Sequence, residues 1–383
     1  MRIFKFFSPA VFLACLILLQ AGCARAPVPI PERTMRVVRA PVLADDLGLT
    51  SLVEPLRMQI EFLRARGKPA ELAFGARHIS REAYISALER FVRIILAASS
   101  EDEALRQIES EFEFLEVYGD RRWGDVFVTS YYEPVIEGAL QESERFSQPL
   151  YRKPDDLVAL DLEKFSEKYR DDRKLRGRLA GKALLPYYTR EDIDSKGALK
   201  GRGLEICWVD PFDAFFLQIQ GSGTVSLPDG RELKLNYAEK NGQPYEAIGK
   251  FLKDAVLPEK LNLQGIEEYL RTLPREEAQA VLNRNPSYVF FEVGKQNAVT
   301  AMGIPASAGR TIATDRRFFP KGALGFLTFE RPDAKDAELR GEASQVSRFV
   351  LDQDTGGAIT GAGRVDLFWG RGAEARAQAG MMR

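Results

Sequence analysis

Between residues 54 and 116 apolar side chains return every three or four positions, the spacing of helices that each bury one face. Tyr84, Leu88, Phe91, Val92, Ile95 and Leu96 form one such stripe, and Ser80 stands ahead of it as an N-cap. Ser100 with Glu103 reads as a capping box for the next helix, whose face is Leu105, Ile108, Phe112 and Leu115. After Trp123 the period changes. Asp125 to Tyr132 reads as a strand that stops at Pro134, and Leu204 to Val209 and Phe215 to Leu227 as further strands. The last is joined to a strand at 232–237 through the turn Pro228-Asp229-Gly230. Residues 245–284 return to helical spacing, with Pro274 suited to a first helical turn. From Tyr288 onward short strands recur at 288–293, 311–315, 323–330, 346–354 and 364–369. This spacing predicts a mainly β protein with flanking helices (α+β), including a small closed barrel.

The amino end differs. Arg2 and Lys5 precede an apolar run, Val11 to Leu19, too short to span a bilayer, and Ala21-Gly22-Cys23 follows. That is the layout of a secretory signal. The cysteine after the small pair makes it similar to a lipoprotein signal, in which the thiol is lipidated and the peptide is cut just before it. Gln20 departs from that pattern, where an aliphatic residue is usual, and a plain signal peptide with a soluble product is the alternative. The expectation is a signal at 1–22, lipidation at Cys23, and a Pro- and Arg-rich tether at 23–45. Several acyl chains would hold the mature chain to a membrane, facing an aqueous compartment outside the cytoplasm.

Composition narrows the chemistry. With Cys15 in the removed segment and Cys23 lipidated, Cys207 has no partner, so no disulfide framework is available. Its neighbours Ile206 and Trp208 suggest a buried apolar thiol rather than a catalytic one. A net charge of −1 argues against nucleic acid as a main partner. His78 is the only histidine, which removes the usual transition-metal clusters and Ser-His-Asp or Cys-His arrangements unless His78 itself serves. No metal or organic cofactor is implied, and carboxylates become the candidates for chemistry.

Asp315 ends a strand-like run, Asp354 ends another and leads into Gly356-Gly357-Ala358-Ile359, and Asp366 sits inside the apolar Arg364–Trp369 strand. A carboxylate among Val, Leu and Phe is costly to desolvate as an anion; its pKa should rise, as a general acid at neutral pH requires. Each also has a plainer reading: Asp315 pairing with Arg316 or Arg317, Asp354 accepting backbone N–H groups in a turn, Asp366 facing solvent as an outward polar residue. A second constellation is Gln218-Ile219-Gln220-Gly221-Ser222-Gly223. Strand alternation would put both glutamines on one face, amides suited to sugar hydroxyls, with glycines allowing close approach; a turn or bulge is the competing account. Tyr237 to Gly242 offers a similar polar edge.

Together QIQGSG, NYAEKNGQPYEAIGK, NPSYVFFE, ATDRRFFPKG and DTGGAITGAGRVDLFWG follow one family in order over most of residues 50–372. The chain resembles the membrane-bound lytic murein transglycosylase A family, with its C-terminal three-aspartate domain. The resemblance implies a catalytic domain containing a double-psi β-barrel, split over 46–133 and 298–383. It also implies an inserted β-domain over 134–297 and a glycan groove between the two. The substrate would be peptidoglycan, cut between N-acetylmuramic acid and N-acetylglucosamine without water and leaving a 1,6-anhydro end. By position Asp366 would be the catalytic acid/base, with Asp354 and Asp315 as the family's other two aspartates. Gln220, Gly221, Ser222 and Tyr132 would line the groove. Arg364-Val365 stands where some members have His-Phe. Ala24 after the cysteine, where an inner-membrane signal carries aspartate, implies the Gram-negative outer membrane, facing the periplasm, with wall-synthesis proteins as further partners. The rival readings are a peptidoglycan hydrolase using two aspartates and a non-catalytic glycan-binding lipoprotein.

Overall fold

The computed structural model describes residues 30–66, 70–119, 122–166, 175–294, 299–331 and 344–382. The expected signal, Cys23 and the first part of the expected tether lie outside the described residues. Among the described residues no helix is long and apolar enough to cross a membrane. The tether reading does not extend to residue 45. Met35–Val38 forms β1, and Asp45 is buried. Three helices follow: α1 (Val53–Ala65), then, after the hairpin β2 (Glu71–Phe74) and β3 (Arg77–Ser80), α2 (Arg81–Ala97) and α3 (Glu101–Glu111). Ser80 Oγ accepts from Ala83 N, as the cap reading expects. Ser100 Oγ accepts from Glu103 N, but the Glu103 carboxylate reaches back to Ser99 N, one residue before the partner a capping box would use. The apolar stripes close on one core: Leu56, Ile60, Leu88, Phe91 and Ile108 pack with Phe349 and Leu351 from the far end of the chain. β4 (Phe114–Val117) pairs with β1, and β5 (Phe127–Glu133) leads to Pro134.

The middle of the chain builds a second sheet. Its elements are β6 (Val135–Ala139), β7 (Gln148–Tyr151), β8 (Val158–Leu160), β9 (Leu175–Ala180), β10 (Ala183–Pro186) and β11 (Glu205–Val209). Then come α4 (Pro211–Gln220), β12 (Gly223–Ser226), β13 (Glu232–Lys240), α5 (Leu263–Thr272), α6 (Arg275–Leu282) and β14 (Val289–Gly294). Six strands order as β14-β13-β12-β6-β11-β7, and β10-β9-β8 form a smaller sheet. Both faces of the six-stranded sheet are covered: Phe291 packs with Cys207, Val209 and Leu217, and the adjacent Phe290 with Tyr187 and Tyr288. Cys207 is a fully buried thiol whose pKa burial pushes up to about 12, so it is not a reactive nucleophile.

Phe215 to Gln220 is helix, not strand. Asp210 caps α4 by accepting from Phe212 N and Asp213 N, Pro211 opens it, and Gly221 ends it in the left-handed region at φ 85°. Helical geometry sets residues two apart on different faces, so Gln218 and Gln220 do not share one. Gln218 is buried, whereas Gln220 Oε1 accepts from Tyr132 N.

The C-terminal part adds β15 (Thr311–Ala313), β16 (Ala323–Arg331), β17 (Ser344–Asp354), β18 (Arg364–Arg371) and α7 (Gly372–Met381). With β5 these strands order as β16-β17-β15-β18-β5, the β15–β17 and β18–β5 pairs being parallel. Among the described residues this is an open order of five strands; the closed ring predicted from strand count is not found. One reason is that the 288–293 strand is drawn into the other sheet by pairing with β13. The two sheets meet where β5 runs into β6. Glu133 there accepts from Thr224 Oγ1 at 3.0 Å and faces Arg371 at 3.5 Å, while Arg376 of α7 pairs with Glu267 of α5.

Candidate functional site

Strand register assembles the site. β15 lies between β17 and β18, and its Ala313 is the partner of Asp354 on one side and of Asp366 on the other. Beyond β18, Asp366 is in register with Thr129 and Phe368 with Tyr131. The pleat then sorts the side chains. Val365 and Leu367 enter the core with Ile312 and Val350, while Asp366, Thr129 and Tyr131 share the other face.

The three sequence-selected aspartates have different surroundings. Asp366 is half-buried, and among the described residues its Oδ1 accepts from Thr129 Oγ1 at 2.7 Å. Burial pushes its pKa up to about 6; the Thr129 hydrogen bond and the Arg364 charge pull it down, and Asp354 adds to the rise. Asp354 is held by three donors: Tyr131 OH at 2.8 Å, Ala301 N at 2.9 Å and Thr355 N at 2.8 Å. Burial, and then the Asp354 charge, keep the Tyr131 hydroxyl protonated far above neutrality, so it serves as a donor. Asp315 is tied elsewhere, accepting from Arg317 Nη2 at 2.6 Å and Gly361 N at 2.7 Å. Burial would raise its pKa, but the Arg317 pair and the backbone donors outweigh it and hold the carboxyl below its ordinary value. The Arg317 pair is one of the two the plainer reading named, and through Gly361 N Asp315 also fastens the loop between β17 and β18.

Removing the Asp354 charge should make Asp366 easier to ionise. In Asp354→Asn the Asp366 carboxyl is expected to titrate at lower pH than in the wild type, read by the 13C shift of its carboxyl carbon; an unchanged titration would refute the coupling.

Sequence reading misses several partners. Thr129 and Tyr131 reach the aspartates, and Tyr132 does not: it is buried on the opposite face of β5 against Ala375 and Ala379 of α7. Tyr132, Gln220 and Ser130 instead line a separate cavity of about 390 Å³ behind that strand, with none of the three aspartates in its wall. Gly221 and Ser222 sit at the α4–β12 junction beside it. Asp352, buried two residues before Asp354, pairs with Lys321 Nζ at 2.6 Å and accepts from Thr314 Oγ1 at 2.7 Å. The signals were the i, i+2 spacing of Asp352 and Asp354 and the lysine in Phe319-Pro320-Lys321-Gly322. Asn241, read as a polar edge, is internal: it donates to Tyr188 O and Pro286 O.

The second sheet supplies an opposite wall. A Cβ on Gly357, in the loop after Asp354, would lie 3.3 Å from Lys240 Nζ at the end of β13. The Tyr245 hydroxyl feels the charges of both Arg364 and Asp366, although burial is the main reason its pKa is raised. Carboxyls of the two strands that flank β15 therefore lie near Lys240, at the end of β13 in the other sheet, and Tyr245 in the segment after it. Among the described residues no group of three or more His, Cys, Asp and Glu is arranged to hold a metal ion.

Comparison with known proteins gives two family-model matches, the MltA specific insert domain over residues 127–292 and the 3D domain over residues 310–383. Membrane-bound lytic murein transglycosylase A of Escherichia coli K12 is 30% identical over 266 residues, 68% of this chain and 64% of that protein. The aligned chain thus spans just under two thirds of that relative's length. A crystal structure of a membrane-bound lytic murein transglycosylase from Agrobacterium tumefaciens is 28% identical, with a TM-score of 0.73 over 91% of this chain and 95% of that one. The E. coli MltA structure with bound chitohexaose shares the fold, at 22% identity and a TM-score of 0.69, over 92% of each chain.

Proposed function

The chain belongs to the membrane-bound lytic murein transglycosylase A family, and on that footing we propose that it cleaves the β-1,4 bond between N-acetylmuramic acid and N-acetylglucosamine in peptidoglycan without adding water. Asp366 is the acid and then the base. Protonated, it donates to the leaving glycosidic oxygen; as the carboxylate, it takes the proton from the muramyl C6 hydroxyl, which closes on the anomeric carbon to leave a 1,6-anhydro end. An attacking group in the same sugar brings high effective molarity, which replaces the second carboxylate of ordinary glycosidases.

The observation that carries this reading is the contrast between the aspartates. Asp366 has a raised pKa near 6 and one hydroxyl donor among the described residues, so its carboxyl keeps capacity to exchange a proton. Asp354, with three donors on its oxygens, is poorly disposed to activate water, which weighs against the two-aspartate hydrolase. It holds the Tyr131 face and favours the Asp366 proton by charge. The groove would run between the two sheets past Lys240 and Tyr245. The domain boundaries 46–133 with 298–383 and 134–297 follow the same reading, as does a double-psi barrel. The parallel β5–β18 and β15–β17 pairs among antiparallel ones support the strand crossings such a barrel uses, while the described residues give an open five-strand order of it. An outer-membrane lipoprotein, anchored through Cys23 and facing the periplasm, is part of the same reading.

Product mass decides the chemistry. Purified chain acting on peptidoglycan should release muropeptides one water lighter than hydrolytic products and without a reducing end. Products with a reducing end would make the protein a hydrolase, and no cleavage at all would leave the glycan-binding reading.

A further inference from the structure

We propose that Arg364 is the anion-recognition residue of the cleft, binding a carboxylate carried by the muramyl side of the glycan next to Asp366; this rests on the lytic transglycosylase reading above. Arg364 and Asp366 are two apart on β18, so both side chains leave the same strand face. Arg364 Nε is buried and, among the described residues, has no hydrogen-bond partner, an arrangement that needs a reason because an unsatisfied buried donor is costly. The guanidinium stands 5.8 Å from the Phe127 ring centroid, which orients it without satisfying its N–H groups.

Asp366 does not fill that role. Its carboxyl is held by Thr129, and a close ion pair with Arg364 would fix it as an anion, the wrong state for an acid. An incoming carboxylate can take the guanidinium instead. Lys240 on the opposite wall, approaching Gly357, adds positive potential to the same cleft. The substrate offers such a group in two places. The lactyl substituent of muramic acid carries a carboxylate when no peptide is attached, and the stem peptide carries its own. N-acetylglucosamine carries none. Arg364 would thus mark which sugar sits beside the acid, so that the ring with the reactive C6 hydroxyl is placed correctly.

Binding to the catalytically silent Asp366→Asn chain tests this, with and without Arg364→Gln. The probes are peptide-free muramyl glycan, stem-peptide-bearing glycan and the neutral N-acetylglucosamine hexamer. Arg364→Gln should weaken binding of the acidic glycans roughly 10- to 100-fold and leave the hexamer within about twofold. Arg364→Lys, which keeps the charge but not the planar fork, should lose less, and the difference from Arg364 should shrink as salt is added. A loss on peptide-free glycan assigns the lactyl carboxylate, and a loss confined to peptide-bearing glycan assigns the stem. Equal losses on all three probes, or no loss on any, would overturn the proposal. Failure of every glycan to bind even with Arg364 present would overturn the lytic reading itself.

Discussion

Asp366→Asn should lower peptidoglycan cleavage by roughly 10²- to 10⁴-fold, the range of one general acid–base group, and at the same time make the protein slightly more stable at neutral pH. An amide can still accept from Thr129 Oγ1 but has no proton to exchange at the glycosidic oxygen. The stability gain follows from the sign of the shift. The folded state raises the Asp366 pKa from 3.8 to about 6, so folding favours the protonated form. The wild type therefore has this contribution in full below pH 3.8 and loses it as pH rises through about 6. For a half-buried carboxyl the difference is on the order of 1 kcal/mol. The excess stability of Asp366→Asn should grow between these pH values and level off above them, as read by thermal melts at several pH values. An active Asn variant removes Asp366 from the chemistry; an inactive variant that melts early at every pH reports damage to the fold instead.

The second large effect lies far from the chemistry. Arg310, at the start of β15, is buried with Asp45: Nη1 donates to Asp45 Oδ2 at 2.7 Å and Nη2 to Asp45 Oδ1 at 2.8 Å. The same guanidinium donates to Phe349 O and Gly48 O. It ties the N-terminal segment to the strands that carry Asp354 and Asp366. Arg310→Met would leave the Asp45 carboxylate buried and unpaired, and should cost about 3–5 kcal/mol in denaturant unfolding. Adding Asp45→Asn should recover part of that loss, since the penalty is the lone charge rather than the missing pair. Equal losses from the single and double variants would assign the damage to packing.

Asp45 also shows where sequence reasoning stopped. Residues 24–45 have the composition of a tether, yet β1 and Asp45 belong to the folded body, because a partner 265 residues away cannot be seen in a local window. The helices before Trp123 were legible because their stripes and serine caps are local signals. Phe215 to Gln220 reads as strand because Leu217 and Ile219 alternate with Gln218 and Gln220. Phe216 is buried beside Phe215, however, and the Asp210-Pro211 start and Gly221 stop were helix punctuation in plain view. That Tyr131 rather than Tyr132 shares the Asp366 face is a matter of strand phase, which register with β18 decides. The aspartates are legible as residue types, Asp315 and Asp354 at strand ends and Asp366 inside an apolar strand. Their division of labour is not, since it depends on which donors each meets: Tyr131 and Ala301 for Asp354, Arg317 for Asp315, Thr129 for Asp366.

Cleavage as proposed needs one carboxyl, that of Asp366, to stay protonated well above the ordinary aspartate range. With 13C-labelled aspartate, the carboxyl resonance absent from Asp366→Asn belongs to Asp366, and its shift can be followed against pH in the resting wild-type protein. A midpoint near 6 is the predicted result. A midpoint near the model-peptide value of about 4 would contradict the assignment of Asp366 as the acid.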